Sequence, residues 1–270
     1  MKSVYKIYKN GEEVSLPKTI NYSRIVSLVP SQTETLYDLG LEENIVGLTK
    51  FCEFPIHLKK CKTIVGGTKQ VHLDKIKVLQ PSIIICNLEE NTKEMVLELS
   101  HIAPVLVTEV NTFSDSLAVI FLFGTLFSKE EEANKWIQEI ESAKEDFLNH
   151  IALKPKHKVA YFIWANPYMV AANNTFINEM LCLTGFVNAF DSKTRYPEID
   201  ILELKNTNLD FILLSSEPFP FKHKHVEELR TFVPNVKSIL VDGAFFSWHG
   251  TRLKLAFNYF KKLHSQIKAL

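Results

Sequence analysis

The chain has 270 residues, with 31 basic and 31 acidic side chains, so its formal net charge is zero. That balance excludes a general attraction to nucleic acid or anionic lipid, and no segment reaches the ~18 apolar residues of a membrane span. The length is enough for two modest domains with sizeable cores.

Before Ile25, Lys, Asn and Glu interrupt every apolar run, so residues 1–23 read as an N-terminal extension without a secretory signal. As written the chain is expected to be cytoplasmic, unless a leader has been removed. Arg24 to Val29 reads as the first strand. Ser31-Gln-Thr-Glu34 has the form of a capping box, with a helix to Leu39 and a left-handed stop at Gly40. Strands follow at Ile45 to Thr49, Ser82 to Cys86 and Val105 to Thr108, with helices at Leu73 to Leu79 and Met95 to Ser100 between them. Such alternation predicts a mostly parallel sheet with helices on its faces. Residues 24–127 form this first α/β lobe.

From Ser128 to about Ala152 there is no strand signal. Trp136, Ile137, Ile140, Phe147, Leu148 and Ile151 recur at helical spacing, after a second capping-box pattern, Ser128-Lys-Glu-Glu131. Residues 128–153 read as one long connecting helix, stopped at Lys154-Pro155. Residues 154–270 resume the alternation. Strands are expected at Lys158 to Trp164, Phe211 to Ser215 and Ser238 to Val241. Helices are expected from an Asn174 cap to Leu183, at Ile201 to Lys205, at Val226 to Phe232 and from about Thr251. The stretches "LDKIKVLQPSIIIC" and "ILELKNTNLDFILL" echo each other, as two lobes of similar build would. The fold class is therefore α/β: two Rossmann-like lobes joined by a long helix.

Ligands of open parallel sheets bind outside the carboxyl ends of the strands. Here those ends carry Pro30-Ser31, Phe51 to Pro55, Gly66-Gly67, Asn87 to Glu89, Trp164 to Tyr168, Ser215 to Phe219 and Ala244 to Arg252. This set is aromatic, amide and glycine. It contains no nucleophile elbow, phosphate loop, dinucleotide fingerprint or zinc-protease motif. Ser31 opens a helix and favours a polar ligand atom. Glu53 and Glu89 read as a carboxylate pair for general-base work or as surface groups. His223 and His225, set among lysines, read as a solvated loop rather than a metal site. Cys86 and Cys182 read as small core residues, and the sequence leaves the pairing of Cys52 with Cys61 open. In "VDGAFFSWHGTRL", Phe245 and Trp248 are expected to stack on a flat ligand while Arg252 holds a carboxylate, phosphate or amide edge. The alternative is that these rings pack under the last helix.

"RIVSLVPSQTETLYDLGL", "VGGTKQVHLDKIKVLQPSIIIC", "TRYPEIDILELKNTNLDFILLSSEP" and "DGAFFSWHGTRL" resemble the substrate-binding proteins of ABC importers. The similarity is to the helical-backbone class for cobalamin, ferric siderophores and haem, above all its cobalamin branch, and it runs from about Arg24 onward. It implies the class III periplasmic binding protein fold, a rigid two-lobe body with a shallow cleft. It also implies a periplasmic or membrane-associated monomer that binds a metal chelate without catalysis and needs no cofactor or metal of its own. Carried over by position, ligand contacts fall on Pro30, Phe51, Gly67, Thr68, Trp164, Asn166, Trp248 and Arg252. An ABC permease would dock through one acid per lobe, Asp74 and Glu203. Where the cobalamin branch carries an aromatic near position 68, this chain has Thr68. Two rival readings stand beside this one: a cytosolic chelate-storage protein without a permease, and an enzyme using Glu53 or Glu89.

Overall fold

The computed structural model describes residues 4–15 and 22–269, and none of its described helices is long and apolar enough to cross a membrane. The chain divides into two compact units. Unit 1 holds the described residues up to Val110, with Ser114–Glu141 and His249–Arg252; unit 2 holds Asn111–Phe113, Ser142–Trp248 and Leu253 onward.

Unit 1 is built on a seven-stranded sheet. Its strands are β1 (Tyr5–Lys9), β2 (Glu12–Val14), β3 (Ile25–Ser27), β4 (Ile45–Leu48), β5 (Thr63–Ile64), β6 (Ile83–Asn87) and β7 (Val105–Thr108), in the order β2-β1-β7-β6-β3-β4-β5. The pairs among β3 to β7 are parallel, as the strand–helix alternation predicts. The extension does more than lead into the fold. Asn10 and Gly11 take positive φ, at 52° and 83°, and turn β1 back on β2. Asn-Gly is the favoured pair for such a two-residue hairpin turn. β1 then adds antiparallel to β7 and covers that edge.

Five helices belong to this half: α1 (Pro30–Asp38), α2 (Leu58–Cys61), α3 (Leu73–Leu79), α4 (Lys93–Ser100) and α5 (Phe113–Phe127). α1 corrects the first capping-box reading. It starts at Pro30, a position where proline loses no needed N–H, and Val29 precedes it with no side-chain cap. Glu34 is thereby freed for another partner. α5 is the element that patterning missed, because its sequence FSDSLAVIFLFGTLF is apolar almost all round and shows no helical stripe.

The connector, α6 (Glu130–Ile151), starts two residues later than expected, because Ser128 takes a φ of 55° between α5 and α6. It begins in unit 1 and passes into unit 2 after Glu141.

Unit 2 carries β8 (His157–Trp164), β9 (Met169–Val170), β10 (Phe186–Asn188), β11 (Phe211–Ser215) and β12 (Lys237–Val241), ordered β10-β8-β11-β12 with β9 antiparallel to β8. Its helices are α7 (Phe176–Leu183), α8 (His223–Phe232), α9 (Ala244–Ser247) and α10 (Leu253–Ala269). Thr175, not Asn174, caps α7: its hydroxyl accepts from the Asn178 N–H, while Asn174 turns the chain at φ 59°. Cys182 lies on the exposed face of α7 rather than in the core, and all four cysteines are free thiols. His225 corrects the solvated-loop reading. It is buried in the first turn of α8, where Nδ1 accepts from the Lys222 N–H, and its ring meets Phe219 and Phe221.

Each unit has its own core. In unit 1 it gathers Val26, Leu28, Ile84, Cys86, Leu99 and Val105; in unit 2, Phe162, Ile212, Leu214, Phe221 and Leu229.

Candidate functional site

In unit 1 the strand-end loops expose rings. After β4 the chain presents Phe51, 48% exposed, and Phe54, 42% exposed. Lys50 sits 5.0 Å from the centre of the Phe51 ring. Gly67 leaves room for that ring, because a Cβ there would stand 3.1 Å from Phe51 Cε2. The turn holding Gly67 and Thr68 is tied down by Gly67 N–H donating to Gln70 O and by Asn91 Nδ2 donating to Thr68 O. Glu53 is exposed and Glu89 half-buried.

Other expected contacts in this unit are spent inside the fold. Pro30 and Ser31 are buried in the first turn of α1. Asn87 is buried: Nδ2 donates to Thr108 Oγ1 and Oδ1 accepts from the Glu89 N–H. It shapes the loop after β6 rather than facing a ligand.

Arg252 requires the largest correction. Its side chain is only 5% exposed. Nε and one terminal nitrogen donate to the two oxygens of Glu34, each at 2.8 Å. This bidentate arrangement is the strong form of a charged hydrogen bond. Burial pushes the Glu34 carboxyl above its ordinary pKa, and the Arg252 charge pulls it part of the way back. The Phe54 ring lies over the guanidinium, its centre 4.0 Å from the central carbon. Sequence patterning missed Glu34 and Phe54. Glu34 was hidden by the capping-box form, although Phe54 lay within the strand-end stretch already singled out.

The segment reaching Arg252 is just as tightly held. Gly250 takes φ 91°, and its N–H donates to Ser116 Oγ. A Cβ there would run into Thr35 Oγ1. Gly250→Ala is therefore expected to destabilise the protein by about 2 kcal/mol, read by urea denaturation; an unchanged midpoint contradicts this.

His249 is buried beside Gln32, whose Nε2 lies 2.9 Å from the imidazole Nε2. The hydrogen-bond network assigns the tautomer. Thr108 spends its only hydroxyl proton on Cys86 O, so it accepts from Gln32 Nε2. The second Gln32 N–H then meets a lone pair on His249 Nε2, leaving the imidazole proton on Nδ1. Burial lowers the His249 pKa to about 4.

In unit 2 the ends of β8 and β11 present Trp164, 39% exposed, and Phe219 edge-to-face with it at 5.6 Å. Asn166 is exposed at φ 62°. The rings of the 245–248 stretch turn inward, as the alternative sequence reading had it. Phe245 stacks on Tyr259 of α10 at 4.5 Å, and Phe246 packs between Tyr161 and Phe260. Trp248 is buried, its indole N–H donating to Glu217 Oε1 at 2.9 Å, an atom that also accepts from Ser247 Oγ. Glu217→Ala should take this acceptor from the buried indole N–H, while Ser247 Oγ still has Gly243 O within reach, at a cost of about 2 kcal/mol. It should also alter the fluorescence of Trp248, whereas an unchanged emission spectrum and midpoint would contradict that role.

Asp74, in the first turn of α3, has a fully exposed carboxylate. Glu203 is more occupied: it pairs with Lys193 at 2.7 Å and accepts from the Asp200 N–H, and the Lys193 bond lowers its pKa. Among the described residues no group of three or more His, Cys, Asp or Glu side chains is placed to hold a metal.

Known proteins share this organisation. A vitamin B12-binding protein of Pectobacterium carotovorum is 24% identical over 262 residues, covering 92% of this chain and 89% of that one. An uncharacterised ABC transporter substrate-binding lipoprotein of Bacillus subtilis, YvrC, is 25% identical over 212 residues, covering 76% of this chain and 66% of that protein. Among solved structures, a periplasmic haem-binding protein from Pseudomonas aeruginosa superposes with a TM-score of 0.78 at 18% identity, over 89% of this chain and 92% of that one, and so shares the fold. Residues 25–231 match the periplasmic binding protein family, and the chain belongs to it.

Proposed function

We propose that this protein is the non-catalytic substrate-binding protein of an ABC importer, and that its ligand is a metal chelate: cobalamin or another corrinoid, haem, or a ferric siderophore. The observation that carries the reading is family membership joined to exposed aromatic rings at strand ends, Phe51 and Phe54 in unit 1 and Trp164 in unit 2, where the half-buried Phe219 flanks Trp164. Exposed rings bind a flat apolar ligand by stacking and by burial of apolar area. The name of the Pectobacterium relative supports the ligand class, and the description of the family, periplasmic binding protein, supports a place outside the cytoplasmic membrane. Asp74 is the better placed of the two acids to meet a basic permease surface, since its carboxylate is fully exposed. Glu53 and Glu89, the two acids considered for general-base work, serve as loop residues in this reading.

A thermal-shift screen with cobalamin, cobinamide, haemin and ferric siderophores tests it. A chelate present at 100 times its dissociation constant adds ~2.7 kcal/mol of stability, a rise of roughly 5–11 °C. No shift with any of them would overturn the proposal.

A further inference from the structure

Resting on that reading, we infer that Arg252, braced by Glu34, is a positioning residue that acts on the ligand through Phe54. Three separate parts of unit 1 meet at this point: α1 brings Glu34, the loop after β4 brings Phe54, and the 249–252 segment brings Arg252. The order of the contacts decides the role. The guanidinium is buried, and two of its nitrogens are committed to the Glu34 carboxylate. Phe54 lies over it at 4.0 Å yet keeps 42% of its surface exposed. What faces solvent here is therefore a ring, and the charge beneath it is neutralised and covered. A cation under an aromatic face holds that face by the ring quadrupole, and a planar fork fixed at two oxygens cannot swing away as a lysine would. The consequence concerns ligand class: at this point unit 1 offers a surface for the plane of a macrocycle or the apolar side of a chelate. It does not offer a clamp for a carboxylate or phosphate edge. The sequence alone suggests the opposite, because an arginine in an aromatic loop reads as an anion clamp.

The test has two parts, both on the full chain. First, 4-fluorophenylalanine is placed at position 54 and its ¹⁹F resonance is followed without any ligand. Arg252→Lys keeps a charge beside Glu34 but removes the planar platform. It is expected to move the resonance towards the position of the free amino acid and to sharpen it, while Lys50→Gln, beside Phe51, leaves it in place. A resonance that ignores Arg252→Lys overturns the inference. Should Arg252→Lys fail to fold, Glu34→Gln, which keeps the shape of the brace and removes its charge, is read in the same way.

Second, Phe54→Leu, Arg252→Lys and the double variant are titrated with cyanocobalamin and with haemin. Each single change is expected to weaken the chelate that the parent binds by about three- to thirtyfold, and the double variant binds no more weakly than Phe54→Leu. If Arg252→Lys costs as much without Phe54 as with it, Arg252 does not act through the ring. If the parent binds neither of these nor cobinamide nor a ferric siderophore, the importer reading fails by itself, and the fluorine resonance still decides whether Arg252 holds Phe54.

Discussion

Replacing Arg252 by alanine is expected to cost about 3–5 kcal/mol of folding stability, because it leaves one member of a buried ion pair behind. Glu34 has an 11% exposed side chain and accepts both guanidinium bonds. Without Arg252 nothing offsets burial and the nearby Asp38 charge, and together they drive the Glu34 pKa further up than in the parent. The sign of the pH dependence follows. An acid whose folded pKa is raised binds more protons folded than unfolded, so its cost is absent below the unfolded pKa, grows as the pH rises between the two values and is complete above the folded one. Arg252→Ala should therefore lose less stability at pH 5 than at pH 7. Urea denaturation at both values checks this. A loss below about 1 kcal/mol, the range of an exposed pair, would mean that the buried pair contributes nothing beyond a surface contact.

The second large effect is carried by His249. Its folded pKa is lowered from 6.5 to about 4 by burial. A base held neutral in the folded state binds fewer protons there than in the unfolded chain. Stability is complete above pH 6.5 and falls as the pH drops towards 4, by about 3 kcal/mol from this one group. The Gln32 N–H that faces the Nε2 lone pair sharpens the penalty, since a proton on Nε2 would meet a donor. His249→Gln removes the titration. Its stability between pH 6.5 and 4 should decline less than the parent's by about that amount. Parallel pH profiles for the two proteins would show that His249 does not titrate as described.

Most of the sheet architecture was legible in the residues, and the reasons are local. Val105–Thr108 and Phe211–Ser215 are short apolar runs bounded by turn signals, and the structure places both strands on those residues. α5 was not legible because its sequence is apolar almost all round and so shows no amphipathic stripe, even though the structure leaves Ser114, Phe121 and Thr125 exposed. The hairpin Tyr5–Val14 carried an Asn-Gly signal, but its strands were read only as evidence against a leader. The candidate site divided differently. Phe51, Trp164 and Asn166 stand exposed at strand ends, as expected of residues there. Arg252, Trp248, Phe245 and Asn87 were chosen by residue type, and residue type does not reveal the partner that consumes each one. Those partners are Glu34, Glu217, Tyr259 and Thr108, distant in sequence by between 14 and 218 positions.

The most direct test of the central claim is equilibrium dialysis of the full chain against cobalamin, haemin and ferric siderophores, followed by mass analysis of the recovered ligand. Saturable one-to-one binding of at least one chelate is expected, with the chelate recovered chemically unchanged. Absence of saturable binding to every chelate, or recovery of a chemically altered one, would contradict that claim.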